Sequence, residues 1–174
     1  FSATYDALSR PLSRTEPDLF TQWTWGSSAA NHEIGQLASV CTGTGTNPTA
    51  CSTSGYSESE SYDAAGRLAQ RAIVIPATGG GGGTFTYAYQ YNSSGLLSSL
   101  TYPSTLGTPL QLNYAYSNGM LQSITDASDS PNTTIWTAGA TNPAGQMTQE
   151  TLGNGVQINR SFNPVTAPAT RAGS

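Results

Sequence analysis

The chain has 174 residues, of which 9% are charged and 36% hydrophobic, and its formal net charge is −4. Its six basic residues are all arginine. Because nucleic-acid affinity depends on neutralising phosphates with lysine and arginine, this composition argues against a nucleic-acid partner. No apolar run approaches the roughly 18 residues that a membrane-spanning helix needs, so we expect no membrane span. The first five residues also lack the basic and apolar regions of a signal peptide.

Serine and threonine together number 46, so hydroxyl groups must cover much of the surface that charges cover in ordinary domains. Short alternating runs rich in threonine, tyrosine and glycine favour strands over helices. We therefore predict an all-β protein made of antiparallel hairpins.

A short phrase recurs along the chain: an aromatic residue, Asp or Asn, two small residues, Gly, and an aliphatic residue. The clearest copies begin at Tyr62 and Tyr91, and a third begins at Tyr5 with Ser9 in the place of glycine. Looser copies begin at residues 31, 116, 141 and 162, so the predicted units start at residues 5, 31, 62, 91, 116, 141 and 162. Spacings in this range indicate that one supersecondary unit is repeated along the chain.

The N-terminal part contains the first two units. Tyr5 and Asp6 open the first turn, and Trp23 and Trp25 are predicted to share one face of a strand. The second unit is the degenerate copy that begins at Asn31. It is followed by an inserted loop, residues 41–51, between the two cysteines Cys41 and Cys51. We predict a disulfide that closes this loop, with two free thiols as the alternative.

The central units carry the best hairpin signals. Asp63 and Gly66 supply the turn of one unit, because the carboxylate accepts hydrogen bonds from turn amides and glycine adopts positive φ without strain. Residues 79–83 form a glycine connector, which is no phosphate loop because no lysine follows it. In the next unit an alternating strand leads to the turn residues Asn92 and Gly95.

The C-terminal units are less regular. Tyr116 precedes a turn that contains Gly119, and Gly145 is the turn glycine of the unit that begins at Thr141. Between them, residues 126–130 hold two aspartates but lack the glycine and the terminal glutamate of a calcium loop. We interpret this segment as a turn between strands.

Catalytic chemistry has little support in the sequence. His32 is the only histidine, and no nucleophile elbow accompanies it. The carboxylates lie mostly in predicted turns, where Asp6 and Asp63 act as turn caps. Two cysteines this far apart and one histidine do not make a four-ligand metal site. We expect neither enzyme activity nor a metal or cofactor.

The units at Tyr5, Tyr62 and Tyr91 resemble the Rhs/YD-repeat family, whose signature is Tyr-Asp-x-x-Gly-Arg-Leu. Residues 152–156, Leu-Gly-Asn-Gly-Val, are similar to the lead-in that precedes the family's units. The resemblance implies a long β-sheet strip coiled into a hollow shell around a cargo. Since repeat arrays carry atypical terminal units and none is recognisable here, we expect this chain to be part of a longer protein.

The resemblance implies a structural wall segment of a secreted or cell-surface shell that encloses or presents a toxin or effector. Its partners would be the remaining repeats of a longer chain, or copies of itself, and the enclosed toxin domain. One alternative is an extracellular adhesion or carbohydrate-binding protein, with Tyr87, Tyr89 and Tyr91 stacking on sugars. Another is a self-associating β filament, because open sheet edges are templates for pairing.

Overall fold

A computed structural model of the chain describes residues 1–44, 55–77 and 81–163 and the backbone of residues 166–173. These residues form fourteen β-strands and no helix, so the predicted all-β fold is confirmed. No described segment is therefore a helix able to cross a membrane. The strands are β1 Ser2–Tyr5, β2 Pro11–Thr15, β3 Leu19–Trp25, β4 Leu37–Thr44, β5 Ser57–Tyr62, β6 Leu68–Ile75, β7 Gly83–Tyr91, β8 Leu97–Thr101, β9 Gln111–Ser117, β10 Met120–Asp126, β11 Thr133–Ala138, β12 Gln149–Leu152, β13 Gln157–Asn163 and β14 Thr166–Gly173.

The strands form an antiparallel meander in which the order in the sheet is the order in the chain. Such a sheet is built from local hairpins, as the repeat predicts. The chain divides into two compact units. Unit 1 comprises Phe1–Tyr89 and Tyr102–Gly107, and unit 2 comprises Gln90–Thr101 and Thr108–Ser174.

In a meander, successive connections lie at alternate edges of the sheet. In unit 1, the connections from an odd-numbered strand to the next even-numbered strand therefore share one edge, here called the turn edge; they are residues 6–10, 26–36 and 63–67. In unit 2, the tight turn that contains Gly119 joins β9 to β10 and lies at one edge of that unit. The turn of residues 153–156 joins β12 to β13 and lies at the opposite edge of that unit.

The two faces of unit 1 differ in side-chain size. A row of paired residues across five strands, Trp23, Val40, Glu58, Ile73 and Phe85, lies on one face. The neighbouring row on the other face is Gln22, Cys41, Ser57, Val74 and Thr84. We call these the large-residue face and the hydroxyl face.

Unit 2 shows the same separation. Tyr114, Ile124, Trp136 and Leu152 form a row on its large-residue face. Its hydroxyl face carries residues such as Ser99, Asn113 and Thr125. Throughout β1–β13, every charged strand residue lies on a large-residue face; these residues are Arg14, Glu58, Glu60, Arg71, Asp126, Glu150 and Arg160.

A β-bulge follows each turn of unit 1 at the same place. Tyr5 pairs with Pro11 and Thr4 with Ser13, which leaves Leu12 unmatched. Ala38 and Ala69 are left unmatched in the same way in the next two hairpins. The unmatched residue puts the first residue of each even-numbered strand on the same face as the aromatic residue with which it pairs. Without the bulge, alternation with period two would put that first residue on the opposite face.

Neither unit builds an apolar core. Among the described hydrophobic residues, only Phe20 (6% exposed) and Ile158 (8% exposed) are buried. The aromatic residues of the large-residue faces are mostly half-buried, while Phe1, Leu8 and Leu106 are exposed. Most stabilisation within each unit therefore comes from strand pairing and from contacts within the two faces.

Candidate functional site

The turns at Asp6 and Asp63 have one geometry. Asp6 Oδ1 accepts hydrogen bonds from the amides of Leu8 (2.8 Å) and Arg10 (3.0 Å). Asp63 Oδ1 accepts the equivalent bonds from Ala65 (2.9 Å) and Arg67 (3.0 Å). One carboxylate oxygen thus satisfies two turn amides, which is the role that the sequence predicts for these residues.

The second carboxylate oxygen of each aspartate binds the arginine of the same turn. Asp6 Oδ2 lies 2.7 Å from Arg10 Nε and 2.6 Å from Arg10 Nη2. Arg67 makes the same pair with Asp63, at 2.8 Å and 2.6 Å. The pKa of Asp6 is lowered, mainly by the Arg10 amide, and the pKa of Asp63 is lowered, mainly by the Arg67 side chain.

Asparagine forms the same turn without the charge. Asn92 Oδ1 accepts hydrogen bonds from the amides of Ser94 and Leu96, both at 3.0 Å. Asn142 Oδ1 accepts the equivalent pair from Ala144 and Gln146, also at 3.0 Å. The turn therefore needs only a side-chain oxygen. The negative charge of aspartate adds an ion pair with the arginine of the same turn.

The fourth residue of this turn, counted from Asp or Asn, has left-handed backbone geometry. Its φ angle is 73° at Gly66, 80° at Gly95 and 76° at Gly145. Ser9 adopts a φ of 62° at the same place, where a side chain is disfavoured. The backbone conformation therefore favours glycine at this place.

Two predicted units depart from this pattern. In the Tyr116 unit, Ser117 pairs with Met120, and Asn118 and Gly119 both have positive φ, which is a two-residue hairpin turn. In the second unit, the residue that pairs with Leu37 is Trp25. Trp25 thus occupies the place that Tyr62 has opposite Leu68, and Asn31 lies within the longer connection.

One turn that the sequence analysis does not predict lies at residues 153–156, between β12 and β13. Leu152 N donates to Val156 O, Gly155 N donates to Leu152 O, and Asn154 Oδ1 accepts from Val156 N. Gly155 has a φ of 84°. The adjacent Asn-Gly pair was the available signal. The resemblance to the repeat family indicates only a lead-in to the Phe162 unit here, and residues 164–165 of that unit lie outside the described residues.

The tyrosines proposed for sugar stacking are half-buried. Tyr87 and Tyr89 lie on the large-residue face of unit 1. Tyr87 packs edge-on against Tyr102, with ring centroids 5.8 Å apart and an interplanar angle of 67°. Tyr91 ends β7, belongs to unit 2 and is also half-buried.

A charged cluster lies on the large-residue face of unit 1. Arg71 Nη2 lies 2.6 Å from Glu60 Oε1, and the Glu60 side chain is only 8% exposed. Tyr62 donates to Glu60 Oε2 at 2.8 Å, and Tyr56 donates to Glu58. The bond to Glu58, aided by burial, raises the pKa of Tyr56 to about 12, and burial with the bond to Glu60 raises the pKa of Tyr62. These groups are mutually paired.

The residues considered for catalysis are not brought together. His32 is exposed in the connection 26–36, with a φ of 57°. Asp126 Oδ1 accepts hydrogen bonds from the amide and hydroxyl of Ser128. Among the described residues, no group of three His, Cys, Asp or Glu is arranged to hold a metal ion.

Two predicted features lie partly outside the described residues. Cys41 is in β4, but Cys51 falls in the undescribed segment 45–54, so the Cys41–Cys51 disulfide stays a prediction. The glycine connector 79–83 is described only from Gly81, which has a φ of 82°.

No protein-family model and no curated protein matches the sequence. Over 98% of its length the chain is similar to part of the Tc holotoxin pore of Photorhabdus luminescens, at a TM-score of 0.58 and 15% identity. Over 95% of its length it is similar to TcdB2-TccC3, at a TM-score of 0.54 and 17% identity. The form of TcdB2-TccC3 without the hypervariable C-terminal region gives a TM-score of 0.53 and 16% identity.

The chain has the fold of the matched segments of these proteins. The resemblance that the repeat motif indicates is thereby confirmed at the level of the fold. The chain spans only 10% of the length of each matched chain. The similarity therefore concerns a segment of a much larger protein.

Proposed function

We propose that this chain is a wall segment of a Rhs/YD-repeat shell that encloses or presents a toxin or effector polypeptide. The observation that carries the proposal is the shared fold over 95–98% of the chain with proteins of the Tc toxin assembly. The proposed function is structural and depends on the β-sheet itself. The shell acts outside the producing cell, either secreted or at the cell surface.

The geometry of the sheet suits a wall. A meander of hairpins grows by one unit at a time, since each new hairpin pairs with the strand before it. The two faces of each unit carry different chemistry, large and charged side chains on one and small hydroxyl side chains on the other. A sheet with two chemically distinct faces is suited to separate an enclosed compartment from its surroundings.

The proposal is tested on the full-length protein that contains this segment. In the intact protein, we expect the cargo domain to resist protease at concentrations that digest it after denaturation. The double variant Asp63→Ala, Gly66→Val breaks one turn and opens the wall, so it exposes the cargo. The matched control is Asp129→Asn, in an exposed connection, which retains protection.

Equal digestion of the cargo in the wild type and in the opened variant would refute a wall function. The carbohydrate alternative has a separate readout. Binding of the intact protein to a glycan array, lost in Tyr89→Ala, would favour the sugar-binding function instead.

A further inference from the structure

Two side chains of unit 1 reach across the turn edge to the next connection. Arg10 Nη1 donates to the carbonyl oxygen of Gly35 at 3.3 Å. Gln36 Nε2 donates to the carbonyl oxygen of Gly66 at 3.0 Å. Arg10 and Gln36 each directly precede an even-numbered strand, and each acceptor is the left-handed glycine of the following connection. We call Arg10 and Gln36 the donor residues.

Two further hydrogen bonds run in the opposite direction. Trp25 Nε1 donates to the carbonyl oxygen of Pro11 at 2.9 Å. The Tyr62 hydroxyl donates to the carbonyl oxygen of Leu37 at 2.6 Å and shares its single proton with Glu60 Oε2 at 2.8 Å. Trp25 and Tyr62 are the last residues of odd-numbered strands, here called closing aromatics. Their acceptors are the first residues of the even-numbered strands of the preceding hairpins.

Each pair of successive hairpins in unit 1 is therefore joined by two reciprocal hydrogen bonds. The side chains that make them differ: arginine or glutamine as the donor residue, and tryptophan or tyrosine as the closing aromatic. The connection length also differs, since residues 26–36 replace a five-residue turn. The bonds occur at the same places in both pairs of hairpins although residue type and loop length differ, so in unit 1 they do not depend on one turn type.

The bonds lie where strand pairing between hairpins stops. β2 and β3 pair only from Thr15↔Phe20 to Ser13↔Gln22, and this ladder ends three residues before Trp25. β4 and β5 pair only from Cys41↔Ser57 to Ser39↔Ser59, three residues before Tyr62. Without a link, successive hairpins would diverge towards the turn edge.

We propose that, in unit 1, the donor residue of one hairpin and the closing aromatic of the next hairpin form a two-bond clasp that fixes the two hairpins at the turn edge. The clasp requires a side-chain N–H donor before the even-numbered strand and an aromatic residue with an N–H or O–H at the end of the odd-numbered strand. Both acceptors are backbone carbonyls, so the neighbouring hairpin needs no particular side chain. The clasp is independent of any cargo and goes beyond the proposed wall function.

Gln36 gives the cleanest test, because its contact with Gly66 is its only described side-chain hydrogen bond. Gln36→Leu removes the donor, whereas Gln36→Arg installs the residue that occupies this place in the first hairpin. We expect hydrogen exchange at the Gly66 amide of the full-length protein to become about five- to ten-fold faster in Gln36→Leu. Gln36→Arg is expected to keep the wild-type rate.

The amide of Thr42, which donates to Tyr56 O just beyond the Cys41↔Ser57 end of the β4–β5 ladder and away from the turn edge, is the internal control. Its exchange rate is expected to be unchanged in both variants. Equal rates at Gly66 in the wild type and in Gln36→Leu would overturn the clasp. So would a uniform acceleration that includes Thr42, or a failure of Gln36→Arg to keep the rate.

The closing aromatic is tested by Tyr62→Phe and Tyr62→Trp. Phenylalanine keeps the ring and loses the donor, while tryptophan supplies the N–H that Trp25 uses. We expect Tyr62→Phe to be coupled to Gln36→Leu in a double-mutant cycle of the Gly66 exchange rates, because the two bonds close one clasp. Additive effects would show that the two bonds act separately and would overturn the reciprocal clasp.

Discussion

Ser9 occupies a backbone conformation that its side chain disfavours. Its φ of 62° matches that of Gly66, Gly95 and Gly145 in the equivalent turns. Left-handed geometry costs an L-residue roughly 1–2 kcal/mol, and glycine avoids that cost but loses more entropy on folding. The first turn is therefore less stable than the turns that contain glycine.

We expect Ser9→Gly to increase the free energy of unfolding by about 0.5–1 kcal/mol. The matched variant Gly66→Ser is expected to decrease it by about 1 kcal/mol. A side chain at Gly66 meets only Gln36 Nε2 at 3.8 Å and His32 O at 3.9 Å, so its cost is conformational and not steric. Chemical denaturation of both variants measures the effects, and a destabilised Ser9→Gly protein would contradict this account.

Asp63 makes the stability of its hairpin depend on pH. Because its pKa is lowered in the folded protein, its contribution is present above the unfolded pKa of about 4 and is lost as pH falls through the folded value. Asp63→Asn keeps the turn oxygen, as Asn92 shows, and removes the ion pair with Arg67. We expect the variant to lose part of the acid sensitivity of unfolding as pH falls below about 4, which chemical denaturation at several pH values measures.

At the scale of the strands, the main feature is the separation of side chains between the two faces. The pairs across β3–β7 place tryptophan, glutamate and phenylalanine on one face and serine, glutamine and threonine on the other. The hydroxyl face carries its own hydrogen bonds, such as Gln111 Nε2 to Ser99 Oγ at 3.1 Å and Thr4 Oγ1 to Ser13 Oγ at 2.6 Å. No charged residue of the described strands β1 to β13 lies on this face.

Ser99 tests the intolerance of this face to charge. Its side chain is 5% exposed, and an aspartate there would lose its hydration with only Gln111 as a described partner. We expect Ser99→Asp to cost about 3 kcal/mol of unfolding free energy. Ser59→Asp, at an exposed position of the same kind of face in unit 1, is the control and is expected to change stability by less than about 0.5 kcal/mol. Equal effects of the two substitutions would contradict the prediction.

At the scale of the whole molecule, the described residues bury few apolar side chains. Phe20 and Ile158 are the only buried hydrophobic residues among them, while Phe1 is 86% and Leu106 is 91% exposed. Repeat proteins gain stability from contacts between neighbouring units. The segment is therefore suited to function with further repeats around it.

We expect the 174-residue polypeptide alone to associate with copies of itself and to melt without a cooperative transition. With no lysine in the chain, little discourages edge-to-edge pairing of strands. Sedimentation velocity and thermal unfolding measure both properties. A monodisperse monomer with a cooperative melt would show that the segment is self-sufficient.

We also propose that the segment has no enzyme activity of its own. His32 is exposed in a connection, and Asp126 serves as a turn acceptor. We expect no turnover of model esters, peptides or glycosides above background. Turnover that disappears in His32→Ala or Asp126→Ala would contradict the proposal.

The sequence by itself determined the hairpin turns, because their chemistry is local. Asp63 and Gly66 act within five residues of chain, and the same spacing is readable at Asp6, Asn92 and Asn142. The alternation of Phe85, Tyr87 and Tyr89 likewise fixes one face of a strand without reference to the rest of the molecule.

Only the tertiary structure decided how one hairpin meets the next. Trp25, and not Asn31, is the closing aromatic of the second hairpin, because its bond to Pro11 O joins residues 14 apart in the chain. The bulges at Leu12, Ala38 and Ala69 set the register that leaves the hydroxyl face uncharged. A bulge shifts pairing by one residue, and a shift of one exchanges the faces, so local propensity alone does not determine which face a residue takes.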